Sequence, residues 1–218
     1  MAVWHSALHH ALAWRSAPVF ARLAKAPSRS ESIARQPPRK SPMLKTILIA
    51  AAIALALFLV YVTTRPDTFK VSRSTQIKAP PDKIFPLIND LRAYNTWNPY
   101  AKKDAAIKLT YSGPAAGTGA KFLFDGNKDA GKGSIEVLAA TPPSQVDMRL
   151  VMAEPFAINN LVRYTLVPKD GGTEVTWSME GPVPYIAKIA HLFFNMDKTV
   201  GTDFEAGLAG LKTLAEAR

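Results

Sequence analysis

The chain has 218 residues, 48% hydrophobic and 20% charged, with 17 Pro, 12 Gly and no Cys. That length suits one domain with appendages, and so large an apolar share excludes a wholly disordered chain. The lack of Cys excludes disulfides, iron–sulfur clusters, thiolate zinc sites and a cysteine nucleophile.

The net charge of +10 invites a nucleic-acid partner, but its distribution argues against one. Residues 1–45 hold eight Lys/Arg against the single acid Glu31, whereas the other 173 residues carry 19 basic and 16 acidic side chains. The basic excess belongs to a tail, and a nucleic-acid-binding domain needs its basic stripe on a folded face.

Residues 1–42 are rich in Arg, Ser, Ala and Pro, a composition close to that of organellar transit peptides. His5 and His9 are spaced i, i+4, yet no neighbouring carboxylate completes a metal site. A disordered tail, or an over-long gene model with translation starting at Met43, is preferred to an import signal, and no metal or cofactor is expected.

Between Lys45 and Arg65 lie 19 uncharged residues, TILIAAAIALALFLVYVTT. As a helix they reach roughly 28 Å, close to the hydrocarbon thickness of a bilayer. The run is apolar on every side, with Tyr61 near one end and basic residues bracketing it. It is longer than a usual signal-peptide core, and its end, LFLVYVTTRP, offers no A-x-A-like cleavage site. Residues 43–65 therefore read as an uncleaved single-pass anchor. The basic residues preceding it place the N-terminus in the cytoplasm and the C-terminal domain outside, as in a bacterial inner membrane. The bilayer is thus one expected partner. Residues 66–68 form a linker, and 69–218 the folded body.

FKVSRSTQI (69–77) alternates as a strand. APPDKIFPLINDL opens a helix with Pro80 and Pro81 at its start, and LRAYNTW makes a second short helix ending at Asn98–Pro99. Six strands follow at hairpin spacing: 108–113, 120–126, 132–140, 144–152, 157–167 and 173–181. GPAAGTG (113–119) superficially resembles a phosphate loop, but a strand rather than a helix follows it, so it reads as a hairpin connection. From Pro184 the period becomes helical. YIAKIAHLFFNM and TDFEAGLAGLKTLAEA are read as two helices joined at Asp197–Thr202, with Gly201 as the joint. Phe204, Leu208, Leu211 and Ala215 line one face of the second. The fold class is α+β, an antiparallel meander of about seven strands curved around a long C-terminal helix and preceded by a transmembrane helix.

VSRSTQIKAPPDKIFPLINDLRAYNTWNPY, GGTEVTWSMEG and DKTVGTDFEAGLAGLKTLAE carry a resemblance to the START/Bet v 1-like (SRPBCC) superfamily. The chain is similar in particular to the polyketide cyclase/dehydrase-like branch, over about 150 residues, and an anchor before such a domain also resembles bacterial members. The resemblance implies a helix-grip fold and a cavity between sheet and helix. It further implies that Trp97 and Tyr100, in the YNTWNPY stretch, close one end of that cavity.

Strand alternation places Phe122, Phe124, Met148, Met152, Tyr164, Trp177 and Met179 on the inner face, and Phe194, beside His191 in the helical region, joins them as a ligand-binding candidate. That inner set holds no carboxylate, His or Lys, whereas acid–base catalysis needs such a group within reach of substrate. His191, alone among histidines in the body, is a weak catalytic candidate. The expectation is a membrane-anchored module holding an apolar small molecule or lipid. A cyclase- or hydrolase-like enzyme using the same cavity is the alternative, and no protein partner is identifiable.

Overall fold

The computed structural model describes residues 42–154, 156–193 and 195–217. The reading of residues 1–42, apart from Pro42, lies outside the described residues, and so does candidate Phe194. From Ile47 onward the chain forms one compact unit.

Helix α1 (Pro42–Thr63) is long and apolar enough to cross a membrane. Its Leu48, Ile49, Leu55 and Leu57 side chains are exposed, while Val62 at its far end is buried. Strand β1 (Thr68–Ile77) leads to the short helices α2 (Pro81–Asn89) and α3 (Leu91–Trp97). Pro81 starts α2, where a missing N–H costs nothing. Asp90 then separates α2 from α3 and caps α3 by accepting from the backbone N–H groups of Arg92 and Ala93. A single 3₁₀ turn (Pro99–Lys102) follows.

The remaining strands are β2 (Lys108–Ser112), β3 (Lys121–Asp125), β4 (Lys132–Thr141), β5 (Gln145–Glu154), β6 (Ile158–Lys169) and β7 (Gly172–Pro182). All seven pair antiparallel in the order β1-β7-β6-β5-β4-β3-β2, and a register shift between Val137 and Ala139 adds a bulge. Bulges bend a strand and increase its twist, which helps the sheet curve. The GPAAGTG segment is the β2–β3 connection, as its composition predicts. Gly113 takes φ +75° there, and a Cβ on it would run into the Gly119 carbonyl. Only glycine fits that close approach.

Helix α4 (Tyr185–His191) precedes the long helix α5 (Met196–Glu216), which lies against β1 on the inner side of the sheet. One sequence expectation fails here. Asp197–Thr202 is not a joint, because α5 begins at Met196 and runs unbroken through Gly201. The break falls earlier, and Asn195 caps α5 by accepting from the Lys198 N–H. The small residue at 201 serves packing instead. A Cβ at Gly201 would run into the guanidinium of Arg73.

Candidate functional site

Strand pairing arranges the inner side chains in rows across the sheet, and their coverage changes from row to row. One row holds Val146, Tyr164, Trp177 and Arg73. Helices α2, α3 and α5 close over the aromatic part of it. Trp177 stacks on Phe204 of α5 with centroids 4.0 Å apart, and Trp97 meets Trp177 and Tyr164 edge-on at 5.9 and 6.0 Å. The Trp97 indole donates to the Leu87 carbonyl, and the Tyr94 and Tyr164 hydroxyls share a hydrogen bond of 3.3 Å. Trp177 Nε1 is buried and has no hydrogen-bond partner among the described residues.

Two strand positions nearer α1, Val137, Met148, Val162, Met179 and Val71 form a row that is still buried. The next contains Tyr111, Phe122, Ile135, Leu150 and Asn160, and the last contains Leu109, Phe124, Gly133, Met152 and Ile158. In these two rows Tyr111, Leu150, Leu109, Phe124, Met152 and Ile158 are only half-buried. The sheet's apolar inner surface therefore loses its cover towards the end where the chain enters from α1.

The candidate residues divide along this gradient. Trp97, Tyr164, Trp177 and Met148 are packed inside, Phe122 and Met179 lie at the margin of the packed region, and Phe124 and Met152 stand in the half-open row. Tyr100 is half-buried in the 3₁₀ turn, where burial and then neighbouring Asp203 push its phenol up, and Lys103 Nζ sits 4.6 Å above its ring. Burial, slightly offset by the Tyr164 hydrogen bond, pushes Tyr94 up to about 12. Burial also holds Tyr164 well above the ordinary phenol range. Both phenols are therefore neutral hydrogen-bonding groups at physiological pH.

Strand alternation also reveals inward polar groups that the sequence reading omitted. Arg73 shares its parity with Val71 and Ile77 and points beneath α5. It donates from Nη1 and Nη2 to the Asp197 carboxylate, from Nη2 to the Asp197 carbonyl, and from Nε to Glu205. These contacts raise the guanidinium further and hold Asp197 below the usual carboxylate range. Arg73 is the one charged side chain on the sheet's inner face among the described residues, and it is already paired. Asn160 is buried with its amide against Met179 Sδ at 3.5 Å.

His191 sits at the end of α4, with its ring edge-on at 6.4 Å to Phe69, which shares the inner-face parity of Val71 and Arg73. It borders a hollow of about 150 Å³ with Arg65, Pro66, Thr68, Val183 and Lys188, and a second, more open one with Phe193, Asn195 and Met196. No group of three or more His, Cys, Asp or Glu side chains suited to a metal occurs among the described residues.

Residues 68–216 match the family described as "Polyketide cyclase / dehydrase and lipid transport". No curated protein matches the chain. Among solved structures, the chain is similar to ginseng (Panax ginseng) major latex-like protein 151, at 13% identity and TM-score 0.52 over 69% of this chain and 99% of that one. It is also similar to a Mesorhizobium loti protein, at 19% identity and TM-score 0.50 over 67% and 96% of the two chains. A Rhizobium leguminosarum protein aligns at 15% identity and TM-score 0.50 over 69% and 96%. Identities this low show a shared helix-grip fold.

Proposed function

Because the chain belongs to the polyketide cyclase/dehydrase and lipid transport family, we propose that it is a membrane-anchored binding module. It holds a hydrophobic small molecule or lipid between the sheet and α5. Residues 43–65 serve as the anchor, 66–68 as the link and 69–218 as the binding domain, held outside the cytoplasm. The observation that carries this reading is the graded cover of the inner face. The half-open rows with Phe124, Leu150 and Met152 offer apolar surface to a ligand, Phe122, Met148 and Met179 wall it, and Trp97, Tyr164 and Trp177 form a rigid floor. Such a site is mostly apolar with few polar handles, and its methionines adapt to ligands of varied shape. The same face weighs against acid–base catalysis. Its one charged side chain is occupied by Asp197 and Glu205, and its buried phenols hold their protons.

The test compares two acidic substitutions by melting and by uptake of a fluorescent fatty acid. Leu150→Glu puts the charge where water reaches, so the protein should fold and lose uptake. Trp177→Glu buries an unpaired charge among the rings of Trp97, Tyr164 and Phe204 and should abolish cooperative melting. Unchanged uptake by a folded Leu150→Glu protein would remove the half-open rows from the site.

A further inference from the structure

The described residues outside the grip carry an unusual concentration of exposed apolar side chains beside the anchor. Ile186 on α4 is 76% exposed, Phe193 just after it 74%, and Phe156 in the β5–β6 turn 78%. All three lie at one end of the sheet. The pairing of Thr68 with Pro182 and of Met152 with Ile158 sets the start of β1, the end of β7 and the β5–β6 turn at the end that α1 enters.

Helix α4 is fastened to the last turns of α1. The Tyr185 hydroxyl donates to the Leu59 carbonyl, and Lys188, itself buried, donates from Nζ to the Arg65 carbonyl and to Asp67. Leu59 lies six residues before Arg65, roughly 9 Å back along the helix axis. Tyr185 therefore reaches below the charged residue that ends the apolar run, to a level occupied by Leu59, Val60 and Tyr61. If α4 stood clear of the membrane, its hydroxyl could not touch that carbonyl while Arg65 sat at the surface.

We propose that α4, with Phe193 and the β5–β6 turn at Phe156, rests in the interfacial layer of the bilayer that α1 crosses. The partner is the lipid surface itself. Tyr185 at this level matches the preference of aromatic rings for the headgroup boundary, and Ile186 and Phe193 gain an apolar surrounding that water denies them. Lys188 closes the arrangement by satisfying the carbonyl of Arg65, past the end of α1, where no further helical turn supplies a donor. The domain is then held with the uncovered rows of its inner face toward the membrane, so that an apolar ligand could pass between bilayer and cavity without crossing bulk water. This inference rests on the anchor reading of α1.

The chain has no Cys, so single cysteines can carry an environment-sensitive fluorophore in the full-length protein. The protein is reconstituted in vesicles of phosphatidylethanolamine and phosphatidylglycerol with bromine-labelled acyl chains. Labels at Ile186→Cys and Phe193→Cys should emit to the blue and be quenched by bromine. Labels at Leu123→Cys and Val167→Cys, exposed positions on the sheet, should do neither, and all four proteins should melt as the parent does. A label at Leu55→Cys in α1 reports the anchor separately. Quenching at Leu55 with water-like emission at both Ile186 and Phe193 would overturn the interfacial seat and leave the anchor standing. Water-like emission at Leu55 would overturn both.

Discussion

Two glycines three residues apart on α5 should respond unequally to the same substitution. Alanine at either position gains about 1 kcal/mol of helix propensity over glycine. At Gly207 a Cβ would lie 2.6 Å from Cζ3 of Trp177 and 2.9 Å from Pro99 Cδ, inside the stack of Trp177 on Phe204. Neither neighbour is a flexible chain end, so α5 or the indole must move, and overpacking of this kind costs roughly 1–3 kcal/mol. At Gly210 the nearest atom is the Trp97 carbonyl oxygen at 3.3 Å, followed by Trp97 Cβ at 3.6 Å. A displacement of a few tenths of an ångström accommodates the methyl there. Gly210→Ala should therefore match or exceed the parent in stability, and Gly207→Ala should fall about 1–3 kcal/mol below Gly210→Ala. For a domain of this size each kcal/mol moves the melting temperature by about 2–4 °C. Thermal melts of the detergent-solubilised chain, followed by near-ultraviolet circular dichroism of the buried tryptophans, read the difference. Equal melting temperatures, or a more stable Gly207→Ala, would refute the account of how α5 packs.

Arg73 holds Asp197 below the usual carboxylate range, so the pair contributes stability above that range and loses it as pH falls through the lowered value. Arg73→Met should therefore abolish part of the acid limb of the stability profile below about pH 4; an unaltered limb in acid denaturation would count against the contact. Tyr94 is pushed up to about 12, so folding is favoured below the ordinary phenol range and that contribution is lost as pH rises towards 12. Tyrosinate absorbance should show a class of phenols titrating late in the native protein and normally in denaturant, and Tyr94→Phe should shrink that class. An alkaline-phosphatase reporter fused after Arg218 should be active outside the cytoplasm, and activity confined to a cytoplasmic reporter would reverse the orientation.

The strands were legible because each carries its own alternation and ends in its own turn residues. Val146, Met148, Leu150 and Met152 mark β5, and the Lys169–Gly172 turn closes β6 onto β7. Their membership in one antiparallel sheet followed from connections too short for crossovers. Gly201 misled because glycine weakens a helix in isolation, whereas here the cost is offset by the space it leaves for Arg73, 128 positions earlier in the chain. Arg73 itself could have been found by extending the parity of Val71 and Ile77, but its acidic partners lie on a distant helix that no local pattern identifies. The inner face was readable as apolar, while its division into packed and half-open rows was not. That division depends on where α2, α3 and α5 come to lie over the sheet. The fastening of α4 to α1 escaped for the same reason, since Tyr185 and Leu59 are 126 residues apart.

The central claim is that the half-open apolar rows hold a ligand. Native mass spectrometry of the full chain, purified in mild detergent, is the sharpest test. A bound lipid or other apolar molecule should add mass to the parent and be lost from a folded Leu150→Glu variant. A parent that carries no added mass and takes up none when offered fatty acids or phospholipids would contradict it.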